Sequence, residues 1–545
     1  MVAGPSARRA GNHSMTIQPK VGIMLAQSYA REFWTRTTAD LSDRRLHLKT
    51  PAAQGSAQDA VRIVIDPSLR RQNWIGAGAA VTDATAYLLW EVMDAGQRGR
   101  LLRELFDPVD GAGFSLVRIP MGSCDFNKQD YYTYDDLPFG SHDSELKRFS
   151  IGEGTPGAPE ATKDLKYIVP VLREILDINP GVKIVAAPWS APAWMKNTGN
   201  LTEGGRLRFG EWTGIGYDPM RDGFEGVYAR YFVRFIDEYA KYGIPIHAVS
   251  LQNEPAVAAP WPAMTWSIQQ LADFGHRFLR PALRASHPDV RMLFLDDNPY
   301  LMNEPLSNLM SRDQAHAFDG IAVHTYTPPY DRLHNATDCY PEWTVMMSER
   351  RCMMTETPED ASHIMFGVNC NWMIQQGMGM LTLWNLALDE RGLPNRAGST
   401  GRRGVITINH RTGEVRRNLE YFMLRNLGQD VPVGSQVIAS SNYTTDGYTG
   451  GLGSSAFLSP DGGVSCIVYN PTGKAIDAAV TVNGAGAIWQ RVTVPAWGVV
   501  TFRKTNGTIN TSAVPVDDDF PLDPTPANFA GDVAPGTGNG YEHER

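Results

Sequence analysis

Short apolar runs alternate with longer amphipathic stretches from about residue 74 onward, and this rhythm is the first thing the chain offers. The runs read as buried strands: Trp74–Val81, Phe114–Ile119, Lys183–Ala187, His247–Leu251, Arg291–Leu295, Gly320–Val323, Met353–Thr355 and Met380–Trp384. Between them the spacing predicts helices, for example Gln97–Leu105, Leu165–Leu176, Tyr228–Tyr242 and Ile268–Leu283, the last followed by the stop signal Ser286-His-Pro-Asp289. Eight strands with helical crossovers close naturally into a (β/α)8 barrel. A doubly wound open sheet is the alternative, but its Gly-rich phosphate turn is absent.

After residue 430 the pattern changes to alternating strands with Gly/Asn/Pro turns, as in Ser465-Cys-Ile-Val-Tyr-Asn470 and Trp489-Gln-Arg-Val-Thr-Val494. This predicts an antiparallel β-sandwich, which the early segment Ala60-Val-Arg-Ile-Val-Ile65 would join. The expected organisation is a leader over 1–15, an N-terminal segment over 16–72 contributing to the sandwich, a catalytic barrel over 73–429, the sandwich over 430–504 and a disordered acidic tail over 505–545. There is no internal repeat.

At 545 residues and 42% apolar content the chain has enough material for a large core and more than one domain. A net charge of −9 without a dense Lys/Arg run argues against a nucleic-acid partner. Five cysteines (Cys124, Cys339, Cys352, Cys370, Cys466) form no CxxC or Cys/His cluster, so neither zinc nor a disulfide framework is indicated. A Cys339–Cys352 bridge is the one pairing entertained. No apolar h-region opens the chain and no run approaches a membrane span, which gives a cytoplasmic expectation unless the N-terminus is edited; Met15 is an alternative start. Oligomeric state is left open.

Candidate chemistry lies where strands end. Glu254 closes Ile246-His-Ala-Val-Ser-Leu-Gln-Asn-Glu-Pro255 and Glu356 lies in Met353-Met-Thr-Glu-Thr-Pro358. Barrel strand ends converge on one mouth, and two facing carboxylates are what retaining glycoside hydrolysis requires. Asn253 beside Glu254 suits a sugar hydroxyl. On the same rim fall Asp125, the aromatic ledge with Trp189, His324, Tyr326 and Trp384. Singly each is an ordinary packed or turn residue; together they form a ring.

These residues resemble glycoside hydrolase family 30, over roughly 60–503. The likeness rests on Gly78-Ala-Ala-Val-Thr-Asp83, Arg118-Ile-Pro-Met-Gly-Ser-Cys-Asp125, Tyr132-Thr-Tyr-Asp135, Pro188-Trp-Ser-Ala-Pro-Ala-Trp-Met-Lys196, Asn253-Glu-Pro255, Thr355-Glu356 and Trp384-Asn-Leu-Ala-Leu-Asp389. It is strongest toward the glucosylceramidase and exo-β-glycosidase branches. The resemblance implies Glu254 as acid/base, Glu356 as nucleophile, and Asp125, Trp189, Asn253, Tyr326, Trp384 and Asn395 as sugar contacts. It implies a glycoside substrate, no metal and no cofactor.

The chain departs from the glucosylceramidase pattern at Thr325, where an aromatic residue is expected, and in the loop Ala256–Trp266, which presents Trp261 and Trp266 to stack a second sugar or to pack the loop. The insert Asn197–Gly226 is expected to overhang the cleft. The expected activity is a retaining exo-β-glucosidase; an endo-β-1,6-glucanase, a β-xylosidase and a non-catalytic carbohydrate-binding protein are the alternatives.

Overall fold

A computed structural model describes residues 60–513, apart from 139, 214–215, 219–222, 329, 357, 400, 442–443, 446–448, 483–489 and 506–507. The leader and nearly all of the acidic tail lie outside the described residues.

The first strand, β1 (Val61–Asn73), leads into β2 (Gly76–Ala80), the first of the barrel. The others are β3 (Leu116–Pro120), β4 (Lys183–Ala187), β5 (Ile246–Ser250), β6 (Arg291–Asp297), β7 (Gly320–His324), β8 (Thr344–Glu349) and β9 (Met378–Leu383). They close in chain order into a parallel barrel, β9 pairing back onto β2. Each strand is buried on both faces, which is why it reads as a continuous apolar run. Leu116, Val185, Ala248, Leu293, Ala322, Met346 and Met380 pack together as one cluster, while their neighbours Val117, Ile184, Val249, Phe294, Ile321, Val345 and Leu381 belong to the larger core shared with the helices. Alternation along each strand thus fills the barrel and binds its coat at once. Small residues line β2 because space is short: a Cβ on Gly78 would lie 1.8 Å from the Leu116 carbonyl oxygen.

The helices follow local rules. The helix Ala95–Phe106 starts at a capping box between Asp94 and Gln97 and buries Leu101, Leu102, Leu105 and Phe106. The long helix expected over Ile268–Leu283 is instead interrupted: Ile268–Phe274 passes into a π-helical turn, Gly275–Leu279, before Arg280–Ser286. Gly275 packs against Phe318, whose Cζ would stand 2.5 Å from a Cβ there, so the wider turn accompanies a close approach.

One strand expectation is corrected. The seventh barrel strand is Thr344–Glu349, paired in parallel with both β7 and β9. Met353, the expected start of that strand (Met353–Thr355), belongs instead to the short strand Cys352–Met353, which pairs antiparallel with Arg402–Arg403 outside the barrel. Two short apolar runs, Val345-Met-Met347 and Cys352-Met-Met354, flank Ser348-Glu-Arg-Arg351, and only the first has neighbours on both sides.

The second sheet holds β10 (Gln436–Ser440), β11 (Gly453–Leu458), β12 (Val464–Tyr469), β13 (Ile476–Val482), β14 (Gln490–Val494), β15 (Val499–Thr505) and β16 (Thr508–Ala513). Its order is β14-β13-β1-β10-β11-β12-β15-β16, with β1 parallel to β13 and antiparallel to β10. Ile63, Ile65, Ile438, Val468, Val480 and Val500 are among the residues of its own core. Buried Trp74, between β1 and β2, meets Phe457 edge-on at 5.8 Å and ties the two bodies together. All five cysteines are free, so Cys339 and Cys352 do not pair. No helix among the described residues is long and apolar enough to cross a membrane.

Candidate active site

Residues of five barrel strands, β3 and β5 to β8, build the centre of the mouth. Arg118 lies within β3, fully buried, a cation that a strand interior accepts only with counter-charges. It donates to Asp296 at 2.9 Å, to Glu349 at 2.5 Å and to the Asn253 side-chain oxygen at 2.7 Å. Its guanidinium also lies 5.0 Å from the Trp189 ring and 5.5 Å from that of Trp384. Those two indoles stack at 5.2 Å and 22°. Arg118 therefore holds carboxylates, amide and aromatic floor in one frame.

Glu349 ends β8. Its Oε1 accepts from the Tyr326 hydroxyl at 2.6 Å, and its Oε2 from Arg118. Across the mouth, Glu254 lies four residues beyond β5 with φ +48°, a strained value for a non-glycine residue. Its backbone N–H donates to the Asp296 carbonyl at 3.0 Å. Leu295 and Asp296 also have positive φ, beside a register shift between β6 and β7. That bulge turns Asp296 toward Arg118, Ser250 and Ser348, whose groups all donate to its carboxylate. One oxygen each of Glu254 and Glu349, with one ring nitrogen of His324, lie within 4.8 Å of one another.

The chain matches the glycosyl hydrolase family 30 TIM-barrel domain over residues 75–408 and the family 30 beta sandwich domain over 434–502. It belongs to glycosyl hydrolase family 30. Its relatives include the endo-1,6-beta-D-glucanase neg1 of Aspergillus fumigatus, 30% identical over 77% of this chain and 82% of that protein. Mouse lysosomal acid glucosylceramidase is 27% identical over 84% of this chain and 86% of its own length. A solved endo-beta1,6-glucanase superposes with a TM-score of 0.67 at 27% identity, covering 82% of this chain and 94% of that one. The protein is thus a glycoside hydrolase.

Within this family 30 site the electrostatics are graded. Burial works against a charged His324, but Glu349, Asp296 and Glu254 outweigh it and lift the imidazolium to about 10. Burial also raises the Glu349 carboxyl, and Glu254 adds to this, while His324, Arg118 and the Tyr326 hydroxyl pull it back. Asp296 is buried too, yet Arg118 and His324 hold it well below the usual carboxylate range. Burial and then the Glu254 charge push Asp297 up to about 7. Both ring nitrogens of His324 face carboxylates, Nδ1 at 3.4 Å from Glu254 and Nε2 at 3.2 Å from Asp296. Asp389, Glu390 and His410 also converge, but Asp389 is engaged by Arg391 and Glu390 by His410.

Of the residues singled out in the sequence, Glu254, Asn253, His324, Tyr326, Trp189 and Trp384 meet at this mouth. Asp125 faces it as well: burial, then the charges of Glu349 and Glu254, push its carboxyl up to about 8. Trp261 packs, half-buried, against the Trp189/Trp384 cluster, whereas Trp266 is buried among Phe209 and Phe274 and packs its loop. Asn395 spends its amide on its own loop, donating to the Ser399 carbonyl and accepting from Ala397 N–H. Glu356 is not brought to Glu254. Its carboxylate accepts from Arg350 at 3.4 Å and from the Met353 N–H at 3.2 Å, outside the barrel; the carboxylate opposite Glu254 is that of Glu349. The sequence reading passed over Glu349, Arg118, Asp296 and Asp297. An arginine inside the run Leu116-Val-Arg-Ile-Pro120 was the available signal for the first three, since such a charge demands buried acids.

Proposed function

We propose that this chain is a retaining β-glycosidase releasing glucose from β-glucosides by double displacement, with Glu349 as nucleophile and Glu254 as acid/base. The observation that carries the reading is the approach of the two carboxylates to within 4.8 Å. Retaining enzymes keep them about 5–5.5 Å apart, too close for a water between acid and base. Arg118 and Tyr326 favour an ionised Glu349, as a nucleophile requires. Glu254, partly exposed and 3.4 Å from the His324 imidazole, faces the leaving group. Asp125 and Asn253 are suited to hydroxyls of the sugar, with Trp384 and Trp189 beneath it. A non-catalytic sugar binder has no use for two opposed carboxylates on a strained backbone.

A second reading, endo-1,6-β-glucanase, draws on half-exposed Trp261 beside the aromatic floor and on the glucanases among the relatives. A panel of aryl β-glucoside, aryl β-xyloside, glucosylated lipid and β-1,6-glucan separates the two. Glu349→Gln is expected to lower turnover at least about a thousandfold, while Glu356→Gln stays within about tenfold of wild type because Glu356 bonds Arg350 and the Met353 N–H and touches neither Glu254 nor Glu349. The reverse ranking would overturn the nucleophile assignment. NMR of the first product is expected to give the β-anomer; the α-anomer would exclude double displacement.

A further inference from the structure

Arginines crowd the chain just beyond Glu349, and their charges are unevenly matched. Arg350 is engaged by Glu356 at 3.4 Å and by the Thr325 carbonyl at 2.8 Å. Arg351, whose backbone bridges to Trp384, holds its guanidinium 5.1 Å from the ring centre of Tyr326, the residue that bonds Glu349. Among the described residues it has no ion pair, and its buried Nε has no acceptor. Arg402 pairs across the backbone with Met353, and the Met353 sulfur is its one side-chain acceptor among the described residues. Both side chains are half-buried, so solvent and substrate reach them.

The two arginines act on the same space. Burial first, then the like charge of Arg351, depresses Arg402 from its ordinary value, with Arg350 adding to it; Tyr326 and Asp125 act the other way. Arg402 is in turn the cation that acts on the Asp125 carboxyl. Two neighbouring cations, partly desolvated and without a carboxylate in ion-pair contact among the described residues, carry an unbalanced electrostatic cost. Guanidinium forks match a carboxylate bidentately, and the match strengthens away from bulk water.

We infer, resting on the hydrolase reading above, that Arg351 and Arg402 receive a carboxylate carried by the glycoside, so that the favoured substrates are acidic. The carboxylate belongs either to the sugar, as in a uronic acid beside Asp125, or to the leaving group. Neutral glucosides remain substrates of the same machinery, and the arginines set preference between the two.

The test compares kcat/KM for phenyl β-glucoside, phenyl β-glucuronide and p-carboxyphenyl β-glucoside, in wild type and in Arg351→Gln, Arg402→Gln and the corresponding Lys variants. One acidic substrate is expected to exceed the neutral one at least about tenfold at low salt, with the advantage shrinking at high ionic strength. The Gln variants are expected to erase the advantage and the Lys variants to keep part of it. Whichever acidic substrate responds locates the carboxylate. Equal or better use of the neutral glucoside by wild type overturns the inference, as does a preference that survives both Gln variants. Turnover of phenyl β-glucoside that depends on Glu349 sustains the hydrolase reading in either case. Should no glycoside turn over, calorimetric titration with glucuronate against glucose, and with p-carboxyphenyl against phenyl β-glucoside, decides the inference alone. Tighter binding of an acidic ligand that the Gln variants lose supports it, and equal binding refutes it.

Discussion

A single hydroxyl, that of Tyr326, sets the direction of one Glu349 oxygen. Tyr326→Phe is expected to lower kcat about 10–100-fold with a smaller change in KM, because the bond orients the attacking carboxylate; steady-state kinetics on an aryl glycoside checks it. His324 carries a different prediction. Its folded value of about 10 lies above the ordinary 6.5, so its stabilisation is complete below pH 6.5 and is lost as pH rises toward 10. The Tm advantage of wild type over His324→Gln is therefore expected to shrink steadily across that window in calorimetry. Single residues were also where sequence reading had least to hold. Glu254 was legible because a single strand-like run, Ile246–Leu251, leads to it with no competing run beside it. Glu349 sits between two apolar triplets of equal length, and only tertiary pairing tells them apart. The charges of Arg350 and Arg351 gave it the texture of an exposed loop.

Elements were far more legible than the residues at their ends. Seven barrel strands fell where apolar runs predicted them, since burial on both faces leaves the run unbroken. The bulge in β6 had no such signature, because it arises from what Asp296 must reach rather than from its own propensity. Arg118 in β3 is what the bulge serves, and the network fails if its centre is removed. Arg118→Met leaves buried Asp296 and Glu349 without the guanidinium they share, with His324 alone beside them, and an expected loss of about 3–5 kcal/mol in denaturant unfolding. Arg118→Met combined with Asp296→Asn is expected to recover part of that loss, since no uncompensated charge remains at position 296.

At the scale of the whole molecule, the barrel and the sheet beside it cannot be cut apart at one point in the sequence. A chain beginning at Trp74 lacks β1 and leaves β10 and β13 with unpaired edges and without Ile63 and Ile65. Its Tm is expected to fall by roughly 5–10 °C, with aggregation through those edges visible in size-exclusion chromatography.

The pairing of β1 also bears on how the molecule comes into being. Val61 lies beside Ala478 and Ile65 beside Val482, so the first of the described strands to leave a ribosome waits for one of the latest. At about 5–20 residues per second, the roughly 400 residues between them take about 20–80 s to make. For that interval Val61-Arg-Ile-Val-Ile65 is an apolar strand without its parallel partner, while the barrel behind it can already close. The first of the described strands to be made is among the last to be completed on both edges, and protecting it in the meantime falls to whatever meets the nascent chain.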